Sequence, residues 1–135
     1  LDVDCPEELP EIQANSTLLQ RALINLYSNA IHAMPGGGTL TIKVELRTKE
    51  DVLSICVKDT GVGISTEDMD KIFTPFFSTK VGRSGLGLAI THRIIDWHGG
   101  NILVESRSVL RSPFASIFLL HHQIKNMQMK IMKSI

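Results

Sequence analysis

The sequence predicts an α/β (α+β) domain, and three observations carry that prediction. Two stretches, at 18–34 and 85–97, repeat apolar residues at helical spacing. Short runs near 40–46, 53–57, 101–106 and 113–120 instead read as strands. The 135 residues are enough for one domain with a real core and too few for two.

The elements follow in order. "LDVD" is a short edge-strand candidate halted by Pro6 and Pro10. Asn15, Ser16 or Thr17 offers an N-cap for the helix through "LLQRALINLYSNAIHAM". Leu19, Leu23, Leu26, Ala30 and Ala33 form its apolar stripe, and Ala22, Asn25, Asn29 and His32 form a second stripe beside it. Pro35 and three glycines then turn the chain. Leu40, Ile42, Val44 and Leu46 alternate with polar residues, and after the "TKED" turn so do Leu53, Ile55 and Val57. One further step of that alternation reaches Asp59, which puts a carboxylate on the side of the buried residues, a costly place for an unpartnered charge.

Residues 65–84 hold charge, Pro75 and three phenylalanines without a lasting period. At about twenty residues this is long for a connection, as lids are. "GLGLAITHRIIDW" is the second helix, with Leu86, Ile90, Ile94 and Trp97 on one side and His98-Gly99-Gly100 as its stop. "NILVES" and "PFASIFLL" are two more strands, and residues 121–135 form a tail, helical or disordered, with Ile124, Met127, Ile131 and Ile135 at helical spacing. The domain is expected over 1–120, with its lid at about 65–84.

The formal net charge is zero, with no basic surplus to suit nucleic acid or an anionic membrane face. No apolar run approaches membrane-spanning length, and the start "LDVDCPEELP" is not that of a signal peptide. Cys5 and Cys56 lack metal-ligand spacing and read as reduced, packed thiols of a cytoplasmic protein. The abrupt start suggests a piece of a longer polypeptide.

Three polar features then need chemistry: the Asn25/Asn29 pair, "DTGVG" and "GRSGLGLAI". Each alone has a bland explanation, as a solvated face or turn punctuation. Together they describe a nucleotide site. Gly85 and Gly87 stand where a helix begins, so bare N–H groups and the positive end of the helix dipole suit a polyphosphate. The spacing fits neither a P-loop nor a Rossmann fingerprint. Asp59 is able to accept a hydrogen bond from the exocyclic amine of adenine, whereas guanine would oppose it with a carbonyl. A hydrogen bond to a charged group is worth roughly 1.5–3 kcal/mol, enough to favour adenine. Gly61 and Gly63 would let a flat base approach the backbone. The Asn29 amide oxygen suits Mg²⁺, whose remaining ligands are phosphates and water. Asn25 and His32, one turn either side, would contact phosphates or ordered water.

In order, "NLYSNAIHA", "DTGVGI", "IFTPFFSTK" and "GRSGLGLAI" resemble the N box, first glycine box, phenylalanine box and second glycine box of sensor histidine kinases. These are catalytic ATP-binding domains of the superfamily that includes DNA gyrase, the large heat-shock chaperone and mismatch-repair ATPases. "PFFSTK" and "GLGLAITHRIIDWHGGNI" are most similar to the nitrogen-regulation type. The resemblance covers about residues 1–120. It implies a two-layer Bergerat-type sandwich, a mixed sheet packed on helices, with ATP between the helices and a mobile lid. It implies Asn29 as the Mg²⁺ ligand, Asp59 as the adenine-binding acid, Gly61 and Gly63 at the base, and Gly85, Leu86, Gly87 and Leu88 at the phosphates. Lys80 matches a phosphate-contacting lid position, with Arg83 as a weaker candidate. Phe73, Phe76 and Phe77 would anchor the lid.

The resemblance breaks after the last helix's strand. Where the family has S-x-x-G-x-G-T-x-F, this chain reads "SRSVLRSPF", with Val109 and Arg111 for the glycines and Ser112 for the threonine. Ser112 keeps a hydroxyl to support Asp59. ATP-hydrolysing relatives commonly carry a glutamate base four residues before the metal-binding asparagine. Asn25 stands there and cannot take a proton at neutral pH. The substitution favours phosphoryl transfer to an already nucleophilic imidazole over hydrolysis. None of the five histidines has the sequence context of a substrate histidine. The expected partners are therefore a histidine-containing dimerisation domain of the same full-length protein and a downstream response regulator, with no nucleic acid and no direct membrane contact. An ATP-hydrolysing clamp and a catalytically silent nucleotide-binding module are the alternatives.

Overall fold

The computed structural model describes residues 1–9, 12, 14–49, 52–79, 82–106 and, for the backbone, 114–120. Lys80, Val109, Arg111, Ser112 and the 121–135 tail lie outside the described residues.

Strand β1 (Asp2–Asp4) leads to helix α1 (Ser16–Ala33), then to β2 (Leu40–Arg47) and β3 (Val52–Asp59). A four-residue helix α2 (Thr66–Met69), helix α3 (Gly87–Trp97), β4 (Asn101–Glu105) and β5 (Phe114–Leu120) complete the order. The sheet runs β1-β2-β3-β5-β4. Its one parallel pair is β1 with β2, and the other pairs are antiparallel. It is therefore mixed, as expected, with "LDVD" at its edge.

Helix α1 starts where the sequence offers a cap: the Asn15 side chain accepts the Leu18 N–H at 3.0 Å. Its inward stripe is Leu19, Ala22, Leu23, Leu26 and Ala30, so Ala22 belongs to the core and not to the polar stripe. These side chains pack with Ile42 and Val44 of β2, Leu53, Ile55 and Val57 of β3, Ile94 and Ile95 of α3, and Ile102 of β4. One apolar layer thus joins sheet to helices. Among the described residues, no helix is long and apolar enough to cross a membrane.

Helix α3 departs from expectation on one flank. Its buried positions are Ala89, Thr91, Ile94 and Ile95, while Trp97 is 70% exposed with Arg93 beside its ring at 6.0 Å. Residue 97 lies beyond the face set by 91, 94 and 95, and the width of the indole does not rotate the helix. The helix ends in a Schellman turn: Gly99 has φ +69°, its N–H reaches Asp96 O, and the Gly100 N–H reaches Ile95 O, both at 2.9 Å.

Two polar tethers fix α3 against α1. At one end the Asn25 amide donates to Gly87 O at 3.2 Å and Thr91 Oγ1 at 3.3 Å. At the other, His98 Nδ1–H donates to Ile94 O at 2.6 Å, leaving Nε2 to accept the Asn15 N–H at 3.0 Å. Those two contacts define one neutral tautomer.

The described residues between 65 and 84 form a short helix and turns. Ser65 caps α2 by accepting the Asp68 N–H, and Ile72 is buried. Phe73 packs on the core with its ring tilted 47° over His92, centroids 5.1 Å apart. Phe76 does not anchor anything from inside: it is 77% exposed, on a backbone with φ +67°.

Candidate functional site

The C-terminal half of α1, the end of β3, the loop after it, and the start of α3 enclose an open cleft of about 810 Å³. Each wall is placed by a local rule. Asn25 and Asn29, one turn apart on α1, share a face. Asp59 is the last residue of β3, opposite Leu40, and is partly exposed because the cleft begins there. The α3 N-terminus supplies Gly87 and Leu88.

Of the residues singled out from sequence, Asn25, Asn29, Asp59, Gly63, Gly85, Gly87 and Leu88 line this cleft. Leu86 is not among its lining residues. Lys80 and Ser112 lie outside the described residues.

Gly61 and His32 lie apart from the other named residues. Gly61 does not line the cleft. A Cβ there would run into the Ala33 carbonyl group, so the glycine lets the chain cross the end of α1. The adjoining Val62 N–H donates to that carbonyl at 3.0 Å. His32 is exposed and outside the cleft, with Nδ1 2.5 Å from Ser28 O. Three residues on from Asn29 it stands on an adjoining part of the same side of α1, and its ring turns back onto the Ser28 carbonyl one turn earlier.

Gly85 has a stricter reason than the one read from sequence. Its φ is +69°, and a Cβ would come within 2.5 Å of Phe76 C and 2.6 Å of Phe77 O. The Phe76 N–H closes this loop onto Gly85 O at 3.1 Å. No side chain fits at this position, so backbone meets backbone where the loop closes.

Asp59 Oδ1 accepts the Gly61 N–H at 2.8 Å, an Asx turn that orients the carboxylate across the mouth of the glycine loop. Sequence reasoning missed Ser106, whose hydroxyl accepts the Ile64 N–H at 2.9 Å and ties that loop to the end of β4. Its only signal was its place at the head of the altered "SRSVLRSPF" stretch. Arg83 reaches the same wall: its guanidinium donates to Asn29 Oδ1 at 3.0 Å and Ser28 Oγ at 2.9 Å. In the sequence Ser28, a serine between two asparagines, carries no pattern of its own.

Chemically, the cleft offers an acid, an amide oxygen, a cation and a helix N-terminus around apolar walls that include Val62, Ile64 and Ile72. Among the described residues no group of three His, Cys, Asp or Glu side chains is arranged to hold a metal by itself. Asn29 Oδ1 faces the cleft and already holds a cationic partner, so its donor chemistry fits a hard cation whose other ligands come from phosphate. The Asn25 amide nitrogen is committed to α3, which makes Asn25 a positioning residue for the α3 N-terminus.

Comparisons with known proteins bear on the fold and the family. Residues 14–121 match the family described as "Histidine kinase-, DNA gyrase B-, and HSP90-like ATPase". The chain is 45% identical over 100 residues to the sensor histidine kinase ZraS of Salmonella typhi, covering 74% of this chain and 21% of that protein. It is 34% identical over 106 residues to sporulation kinase E of Bacillus subtilis, covering 78% of this chain and 14% of that one. It thus spans about a fifth or less of the length of these relatives. The solved catalytic domain of histidine kinase ThkA superposes with a TM-score of 0.65 at 38% identity, covering 78% of this chain and 66% of that one. The mycobacterial sensor histidine kinase MprB superposes at 0.73 with 24% identity, covering 87% and 80%, a likeness of fold.

Proposed function

This chain belongs to the histidine kinase-, DNA gyrase B- and HSP90-like ATPase family, as a catalytic domain of the sensor histidine kinase type, and on that premise we propose how its residues serve phosphoryl transfer. Adenine enters between Asp59 and the Gly63 loop, with the Asp59 carboxylate accepting from its exocyclic amine. The polyphosphate lies toward Gly85, Gly87 and Leu88, where the α3 dipole favours negative charge. Arg83 and Lys80 supply lid cations, and Ser112 supports Asp59. Asn29 would hold Mg²⁺, which when bound would neutralise phosphate charge.

The acceptor is an imidazole of a separate histidine-containing domain in the full-length protein, and a response regulator takes the phosphoryl group afterwards. In the transfer, the bond from γ-phosphorus to the β–γ bridging oxygen breaks and a phosphorus–nitrogen bond forms. ADP leaves, and the imidazole releases a proton to solvent. With Asn25 in place of a base, the chain contributes alignment and charge stabilisation only. The observation that carries this reading is the convergence of Asn29, Asp59 and the α3 N-terminus on one cleft. The likeness of "PFFSTK" to nitrogen-regulation kinases adds the proposal of that subtype.

Incubation with γ-labelled ATP tests the reading. The isolated chain should remain unlabelled, and label should appear on the matching histidine-containing domain when it is added. Strong self-labelling of the chain alone, or steady ATP hydrolysis abolished by Asn29→Ala, would contradict it.

A further inference from the structure

Arg83 sits on the very atom assigned to the metal. Its Nη1 donates to Asn29 Oδ1 at 3.0 Å and its Nη2 to Ser28 Oγ at 2.9 Å. Nη2 also lies 3.2 Å from His32 Nδ1, but that nitrogen is 2.5 Å from Ser28 O. A carbonyl oxygen so close requires Nδ1 to carry a proton, and a protonated Nδ1 cannot accept from arginine. The guanidinium is therefore held by a two-pronged fork on consecutive residues of α1, both in the cleft wall.

We propose that Arg83 is an internal counter-cation that occupies the metal's place on Asn29 and is exchanged for Mg²⁺ when nucleotide binds with its metal. The proposal rests on the reading of Asn29 as the metal's protein ligand. Mg²⁺ binds oxygen at about 2.0–2.1 Å. A guanidinium still donating to that oxygen would stand within a few ångströms of a divalent cation, and like charges so close repel strongly. One must leave. Arginine's long side chain releases the fork through its own torsions, without a change in the backbone. The exchange replaces one cation on Asn29 by another, so the oxygen keeps a positive partner throughout. Because the fork must break first, Arg83 weakens the apparent gain in nucleotide affinity that Mg²⁺ brings.

The test is calorimetric titration of ADP in excess Mg²⁺ and in EDTA, on the wild-type chain and on Arg83→Lys, Ser28→Ala and Asn29→Ala. Arg83→Lys replaces the fork by a single ammonium and Ser28→Ala removes one prong, and both keep the positive charge, so an effect of charge alone is excluded. Each should raise the ratio of affinity in Mg²⁺ to affinity in EDTA by about two- to tenfold, the value of one lost hydrogen bond. Asn29→Ala should bring that ratio close to one. If Asn29→Ala collapses the ratio while the other two variants keep the wild-type value, the exchange is wrong and the metal ligand stands. If Asn29→Ala leaves the ratio intact, the metal ligand is wrong and the exchange falls with it.

Discussion

Asn25 and Asp59 show how far a single side chain can be read from its neighbours in sequence. The alternation of Leu53, Ile55 and Val57 carried Asp59 to the cleft side of β3, and there it lines the cleft. For Asn25 the missing base was legible, but its use was not. Its contacts with Gly87 and Thr91 span 62 and 66 residues of chain, a distance that local periodicity cannot see. Nor does local pattern reach the Ala33 carbonyl that constrains Gly61, or the α1 partners of Arg83. Asn25→Asp keeps the shape but turns a donor into an acceptor facing the Gly87 carbonyl. It should destabilise the fold by about 1–3 kcal/mol, the net value of the two lost hydrogen bonds. Urea unfolding measures this, and an unchanged midpoint would show that the tether carries no weight.

At the scale of elements, helix α1 was the most legible because its cap, stripe and stop are all local. Helix α3 was legible in extent and less so in facing, since Trp97 competes with smaller residues for the inward side and loses. The 65–84 segment lacked a period because it is built from a short capped helix and turns, each stabilised by its own backbone contacts. His98 was read as part of a stop signal, yet it also joins the two helices through the Asn15 N–H. His98→Leu should therefore lower stability by about 0.5–1.5 kcal/mol, one net hydrogen bond. The denaturant midpoint should fall with no change in slope, since the surface exposed on unfolding is the same. A midpoint equal to wild type would remove the tether from the account.

For the molecule as a whole, strand alternation together with four boxes in register was enough to place the chain in its fold and family. The sheet order β1-β2-β3-β5-β4 was not readable from alternation. Each strand's pattern says which side is buried, but pairing between β3 and β5 is set only when the chain closes on itself. The cleft inherits that closure: α1, β3 and α3 meet there from three separate parts of the sequence. The central claim is that this meeting point recognises adenine through one carboxylate. Calorimetric titration of the wild-type chain and Asp59→Asn with ATP and GTP in Mg²⁺ tests it most directly. The account predicts that ATP binds at least about tenfold more tightly than GTP, and that Asp59→Asn weakens ATP by about 1–3 kcal/mol. Equal binding of both purines, or an Asp59→Asn variant that binds ATP as the wild type does, would contradict it.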